Sequence, residues 1–124
     1  MSSTVGTPDG AFVGAFLEIV IESWRLTRTF NRVLSKLDAG DAARFQNQLR
    51  FFQKRLEETL ARTGLKLVNL EGEPYDAGMA ATPVNIADFA PEDRLIVEQM
   101  VEPVIMGEEG IVRTGTVMLK RITP

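Results

Sequence analysis

The chain contains no cysteine and no histidine in 124 residues. The first absence excludes disulfides, thiol catalysis and cysteine-based zinc sites. The second removes the commonest general base and the commonest metal ligand, so neither a Ser-His-Asp nor a Cys-His nucleophile can be assembled. Long apolar runs are missing as well. The most apolar stretch, Gly10 to Ile21, includes Glu18 and is too short to span a bilayer. Met1 to Gly10 lacks the basic start of a secretory signal. The expectation is a chain with no membrane segment and a cytoplasmic location, which the lack of cysteine suits. There is no Walker A sequence, no dinucleotide-binding glycine fingerprint and no internal repeat.

What is present is ordinary in amount and uneven in arrangement. Hydrophobic residues make up 44% and charged residues 25%, the balance of a folded globular domain. Residues 1–64 carry nine Lys/Arg against seven Asp/Glu, a net +2, whereas residues 65–124 carry five against ten, a net −5. That contrast supports a two-part organisation, and the overall −3 argues against nucleic acid as a partner. The basic residues between Arg44 and Arg62 are spread around a helix and mixed with acids, which fits a solvated face.

Met1 to Gly10 is small and polar and reads as a flexible arm. From Ala11 to Leu37 the helical period is strong. Phe12, Phe16, Ile19, Ser23, Leu26, Phe30, Val33 and Leu37 follow a 4-3-4-3 spacing, and seven of those eight are apolar, the pattern of a coiled-coil seam. Val13, Leu17, Val20, Trp24 and Leu34 add a second stripe. A helix apolar over so wide an arc needs neighbours on more than one side. The spacing predicts a break at Asp38-Ala39-Gly40-Asp41, with Gly40 ending the first helix and Asp41 capping a second that runs from about Ala42 to Thr63. Phe45, Leu49, Phe52, Leu56 and Leu60 share one face of it, and Gly64 closes it. A multi-helix, dimeric bundle is expected, in which Phe16, Ile19, Trp24, Leu26, Phe30 and Val33 of the first helix join Phe45, Leu49, Phe52 and Leu56 of the second at the dimer contact. The two helices either fold back on each other or run on.

After Gly64 the period changes to that of strands. Leu65 to Leu70 reads as a strand and Glu71-Gly72-Glu73-Pro74 as a turn. Tyr75 to Asp93 is loop-rich. Arg94 to Val101 and Val104 to Met106 read as strands separated by Pro103. Gly107-Glu108-Glu109-Gly110 is the clearest hairpin turn in the chain. Ile111 to Arg113 and Thr116 to Ile122 return from it, with Gly115 as a bulge. The fold class expected is α+β: a flexible arm over 1–10, a dimerising helical hairpin or bundle over 11–64, and a small all-β domain over 65–124.

Carboxylates are the only acid–base groups in quantity. Glu71, Glu73 and Asp76 cluster in a turn where hard cations could bind, but no EF-hand spacing supports this and a solvated acidic turn carries several-fold more weight. Glu108 and Glu109 serve turn geometry or meet a basic partner surface. No catalytic, cofactor or metal site is expected, and the chain is not expected to be an enzyme.

The order helix, helix, Gly, strand, turn, β unit resembles that of the GrpE family of nucleotide exchange factors. Leu56-x-x-x-Leu60-x-x-x-Gly64-Leu65-x-Leu67-Val68 is similar to the family's last bundle helix entering its first β segment. Gly72-Glu73-Pro74-Tyr75-Asp76 resembles its Gly-x-x-Phe-Asp-Pro turn. Val97 to Val101 followed by Arg113-Thr114-Gly115-Thr116-Val117 resembles its closing strands with their Arg-Pro-Ala-x-Val signature. Ala80-Ala81-Thr82 stands where the family has His-Glu-Ala, Val104-Ile105 where it has Gly-Tyr, and the long stalk is missing or reduced to the first helix. The resemblance covers roughly Leu56 to Lys120. It implies a divergent, shortened co-chaperone that dimerises through helices and sets its β domain against the nucleotide-binding domain of a DnaK-type ATPase, favouring the open cleft and ADP release. By that analogy Ile105, Met106, Glu108, Glu109 and Arg113 contact the partner. The alternative is a non-enzymatic adaptor that dimerises by its helices and binds another protein through its β domain.

Overall fold

Two helices and six short strands follow one another in a computed structural model that describes residues 10–122. The expected arm over residues 1–10 lies, except for Gly10, outside the described residues. The chain divides into two compact units, Met1–Leu56 and Glu57–Pro124.

Helix α1 spans Gly10–Leu34 and α2 spans Ala39–Ala61. Neither contains proline, and α1 carries the apolar stripes that reward a helical period. At the end of α1 the N–H groups of Lys36 and Leu37 reach back only three residues, to the carbonyls of Val33 (3.0 Å) and Leu34 (3.2 Å), a tightening that finishes a helix. Asp38 then starts α2: its carboxylate accepts the Asp41 N–H at 3.1 Å, the bond of an N-cap to the third helical residue. This corrects two expectations. Gly40 already lies inside α2, and the cap is Asp38 rather than Asp41. The side chain of Phe30 meets that of Phe45 edge to face, with ring centroids 6.4 Å apart. Along an uninterrupted helix those residues would stand about 22 Å apart. The chain therefore doubles back, and the helices form a hairpin.

On α1 the buried residues are Leu17, Val20, Ile21, Thr27 and Leu34; Leu17, Val20 and Leu34 belong to the second stripe, whose Val13 is exposed and Trp24 half-buried. The Thr27 hydroxyl is satisfied by donating to the Ser23 carbonyl at 2.7 Å.

In the second unit, α2 ends in a Schellman motif. The Leu65 N–H bonds the Leu60 carbonyl (3.1 Å) and the Gly64 N–H bonds that of Ala61 (3.0 Å), with Gly64 at φ +75°, the left-handed step that glycine permits. Strand β1 (Lys66–Val68) follows, then β2 (Ala81–Pro83), a single 3-10 turn at Ile86–Asp88, β3 (Leu95–Glu102), β4 (Val104–Gly107), β5 (Gly110–Arg113) and β6 (Gly115–Arg121). They form two three-stranded sheets, ordered β1-β4-β5 and β2-β6-β3. The pairings are antiparallel except β2 with β6, which is parallel. Alternation on β6 buries Gly115, Val117 and Leu119. With Leu95, Val97, Met100, Val104 and Ile105 they make the core of this unit.

Two details of the loop-rich region depart from the sequence expectation. The strand β2 is carried by only three residues, and it is extended by a side chain: Asn85 donates to the Leu119 carbonyl and accepts the Leu119 N–H, both at 2.9 Å, as a paired backbone would. Gly115 is not a bulge but the first residue of β6, opposite Ala81. A Cβ there would lie 2.9 Å from the Glu102 carbonyl oxygen and 3.0 Å from side-chain atoms of Met100 and Val104, so the site admits glycine because the sheet closes over it. The irregularities of register fall in β3 against β6 and in β5 against β4.

The β4–β5 hairpin as a candidate partner site

Strands β4 and β5 are joined where the turn residues require it. Gly107 pairs with Gly110 across Glu108 and Glu109. Neither glutamate has a positive φ; the left-handed step falls on Gly110 at φ +132°. The two acidic side chains are thereby presented at the tip without backbone strain. A Cβ on Gly64 would lie 3.1 Å from Cδ of Glu108, so the glutamate stem rests against the glycine that closes α2.

The register of the hairpin sets what it exposes. Ile105 pairs with Arg113 and Met106 with Ile111, which leaves Val112 as an extra residue on β5. A bulge of this kind bends an outer strand and re-aims its side chains. Ile111, Val112 and Arg113 are all exposed as a result, the two aliphatics at 54% and 45%. β5 is an outer strand of its sheet. The surface thus has an apolar middle, two carboxylates at the tip and a guanidinium at the base. Such a surface suits a partner that supplies an apolar patch with basic groups beside it.

Of the five residues assigned to partner contact by resemblance, Met106, Glu108, Glu109 and Arg113 lie on this hairpin and are exposed or half-buried, whereas Ile105 is fully buried and packs in the core. Ile111 and Val112, not singled out from the sequence, lie in their midst. The signal for them was a β-branched pair directly after a hairpin glycine.

The expected dimerisation residues fall in two groups. Ile19, Leu26, Phe30, Val33 and Phe52 are exposed, and Phe16, Trp24, Phe45, Leu49 and Leu56 are half-buried. The guanidinium of Arg28 stacks over Trp24 at 5.0 Å.

The acidic turn has structural duties. Glu71 accepts the Met100 N–H at 2.9 Å and exchanges bonds with Asn69, while Asp76 accepts the Gly78 N–H at 2.9 Å in a local turn. Among the described residues no group of three or more Asp and Glu is placed to hold a metal ion, and no helix is long and apolar enough to cross a membrane.

The second unit also has an open groove of about 580 Å³, lined among others by Tyr75, Ile86, Phe89, Arg94 and Ile122. On its wall the Asp93 carboxylate accepts the Ala90 N–H at 2.8 Å and an N–H of Arg121 at 3.2 Å. The Ala90 bond, aided by Arg121 and opposed by partial desolvation, holds the Asp93 carboxyl below its ordinary value. Asp93 is thus fastened into the wall of the groove.

No protein-family model, curated protein or solved structure matches the chain.

Proposed function

We propose that this chain is a nucleotide exchange factor of GrpE type, a non-enzymatic protein that docks its β unit on the nucleotide-binding domain of a DnaK-type ATPase and promotes ADP release. The observation that carries the proposal is the β4–β5 hairpin, which offers Glu108 and Glu109 at its tip and Ile111, Val112 and Arg113 on an exposed outer strand within the segment that resembles the family. Self-association through the helical unit belongs to the same proposal; it is supported by the exposed apolar side chains along α1, a surface of the kind that marks interaction sites.

The mechanism needs no reacting group. A protein that binds the open cleft better than the closed one shifts the ATPase towards the open state by its difference in affinity. Reciprocity then requires that ADP weaken the protein's own binding. Calorimetric titration of the ATPase from the same source tests this. The expected result is binding that ADP weakens by about 5- to 150-fold and that Glu108→Lys with Glu109→Lys weakens further. Equal affinity with and without ADP would favour an adaptor that holds an ATPase without exchanging its nucleotide. Absence of binding would sink the proposal.

A further inference from the structure

The apolar residues that α1 exposes recur at seven-residue intervals: Phe12, Ile19, Leu26 and Val33 form one row and Phe16, Ser23, Phe30 and Leu37 the other. All of the first row is exposed, with Ile19 at 65% and Leu26 at 66%. The core residues Val20, Thr27 and Leu34 sit one position further on from the first row, so the chain's own packing leaves that row exposed; in the second row Phe16 and Ser23 are half-buried, and Phe30 touches Phe45 on one side while it and Leu37 stay exposed on the other. A strict seven-residue apolar repeat is the requirement of a partner that is itself a long helix.

Charge identifies that helix. Between Gly10 and Trp24 the only charged residues are Glu18 and Glu22; between Arg25 and Leu37 they are Arg25, Arg28, Arg32 and Lys36. The helix is acidic in its first half and basic in its second. Two copies side by side in parallel would set four cations against four cations. Two copies in antiparallel order set acid against base and also oppose their helix dipoles. By contrast α2 mixes its charges, with Lys54 and Arg55 next to Glu57 and Glu58, and offers α1 no such complement.

We infer that α1 pairs antiparallel with α1 of a second copy of this chain through this seam. This rests on the proposal that the chain self-associates, and deepens it. Centred between Trp24 and Arg25, the antiparallel order brings every layer into register: Phe12 opposite Leu37, Phe16 opposite Val33, Ile19 opposite Phe30 and Ser23 opposite Leu26. It sets Glu18 level with Asn31 of the second copy, one residue from Arg32. The one polar residue of the seam, Ser23, lies at the centre beside Leu26, and both ends are closed by large apolar pairs.

The lack of native cysteine makes the test direct. Full-length chains carrying Ile19→Cys and Phe30→Cys are prepared separately, mixed and oxidised, and sedimentation gives the mass of the unmodified protein. The inference expects a dimer, and a disulfide-linked species formed by the mixture that neither variant forms alone. Linkage within the Ile19→Cys variant alone would overturn the antiparallel order while leaving self-association intact. A monomer mass would overturn both. Leu26→Asp supplies the check on the surface itself. Because that side chain is exposed in the single chain, the variant is expected to keep its helical circular dichroism and become monomeric. A dimer that survives Leu26→Asp would show that the seam is not the contact.

Discussion

Asp93 fastens the 3-10 segment to the end of β6 through two bonds, one to the Ala90 N–H and one to Arg121, and Arg121 in turn lies over the Phe89 ring at 5.9 Å. This fastening depends on pH in a definite direction. A carboxyl held below its unfolded value of about 3.9 contributes stability above that value and loses it as the pH falls through the folded value. Asp93→Asn is therefore expected to melt at a lower temperature than the unaltered chain near neutral pH, and the two should converge in acid below the ordinary aspartate range. Thermal melts across that range check it; a gap that persists or widens in acid would contradict the charge-based account. In the sequence Asp93 stands only at the end of the loop-rich stretch that begins at Tyr75. Its partner Arg121 is 28 positions away, and nothing local in the sequence announces such a bond.

Among the elements, β3 depends most on residues outside itself. Its register against β6 shifts twice, between Val97 and Gln99 and between Met100 and Glu102. Glu71 takes up the Met100 N–H between them. Met100 is buried, so removing the acceptor strands a donor. Glu71→Ala should lower stability by about 1–3 kcal/mol in urea unfolding, while Glu71→Gln, which keeps an accepting oxygen, should lose clearly less. Equal losses would contradict the role assigned to the carboxylate. The same element shows where sequence pattern speaks and where it is silent. Pro103 separates β3 from β4 as its missing N–H suggests, and Gly107 to Gly110 turns the chain as glycine spacing suggests. Both signals are local. The strand β2 was missed because Ala81 and Pro83, which strands disfavour, flank a lone Thr82, and the three are strand only through parallel pairing with residues more than thirty positions later. On α1 the helical period was plain, but two apolar stripes satisfied it. Periodicity alone could not tell which one the chain buries and which it leaves exposed.

At the scale of the whole molecule the division of labour is between a helical unit with an exposed seven-residue repeat and a β unit with an exposed hairpin. The helical part follows from periodicity and is now a hairpin of two helices, fixed by the Phe30–Phe45 contact. The candidate gripping surface was legible in part: the turn and its two glutamates were located, while the register that buries Ile105 and turns out Ile111 and Val112 depends on a bulge at Val112, which alternation does not reveal. Exchange by differential binding requires only that this surface favour one state of a partner, so the account stands or falls on an effect on the partner's nucleotide. The most direct measurement is stopped-flow release of a fluorescent ADP analogue from a DnaK-type ATPase of the same source. The account predicts release several-fold faster with this chain present, and at the basal rate with Glu108→Lys and Glu109→Lys; an unchanged rate under conditions where the two proteins bind would contradict it.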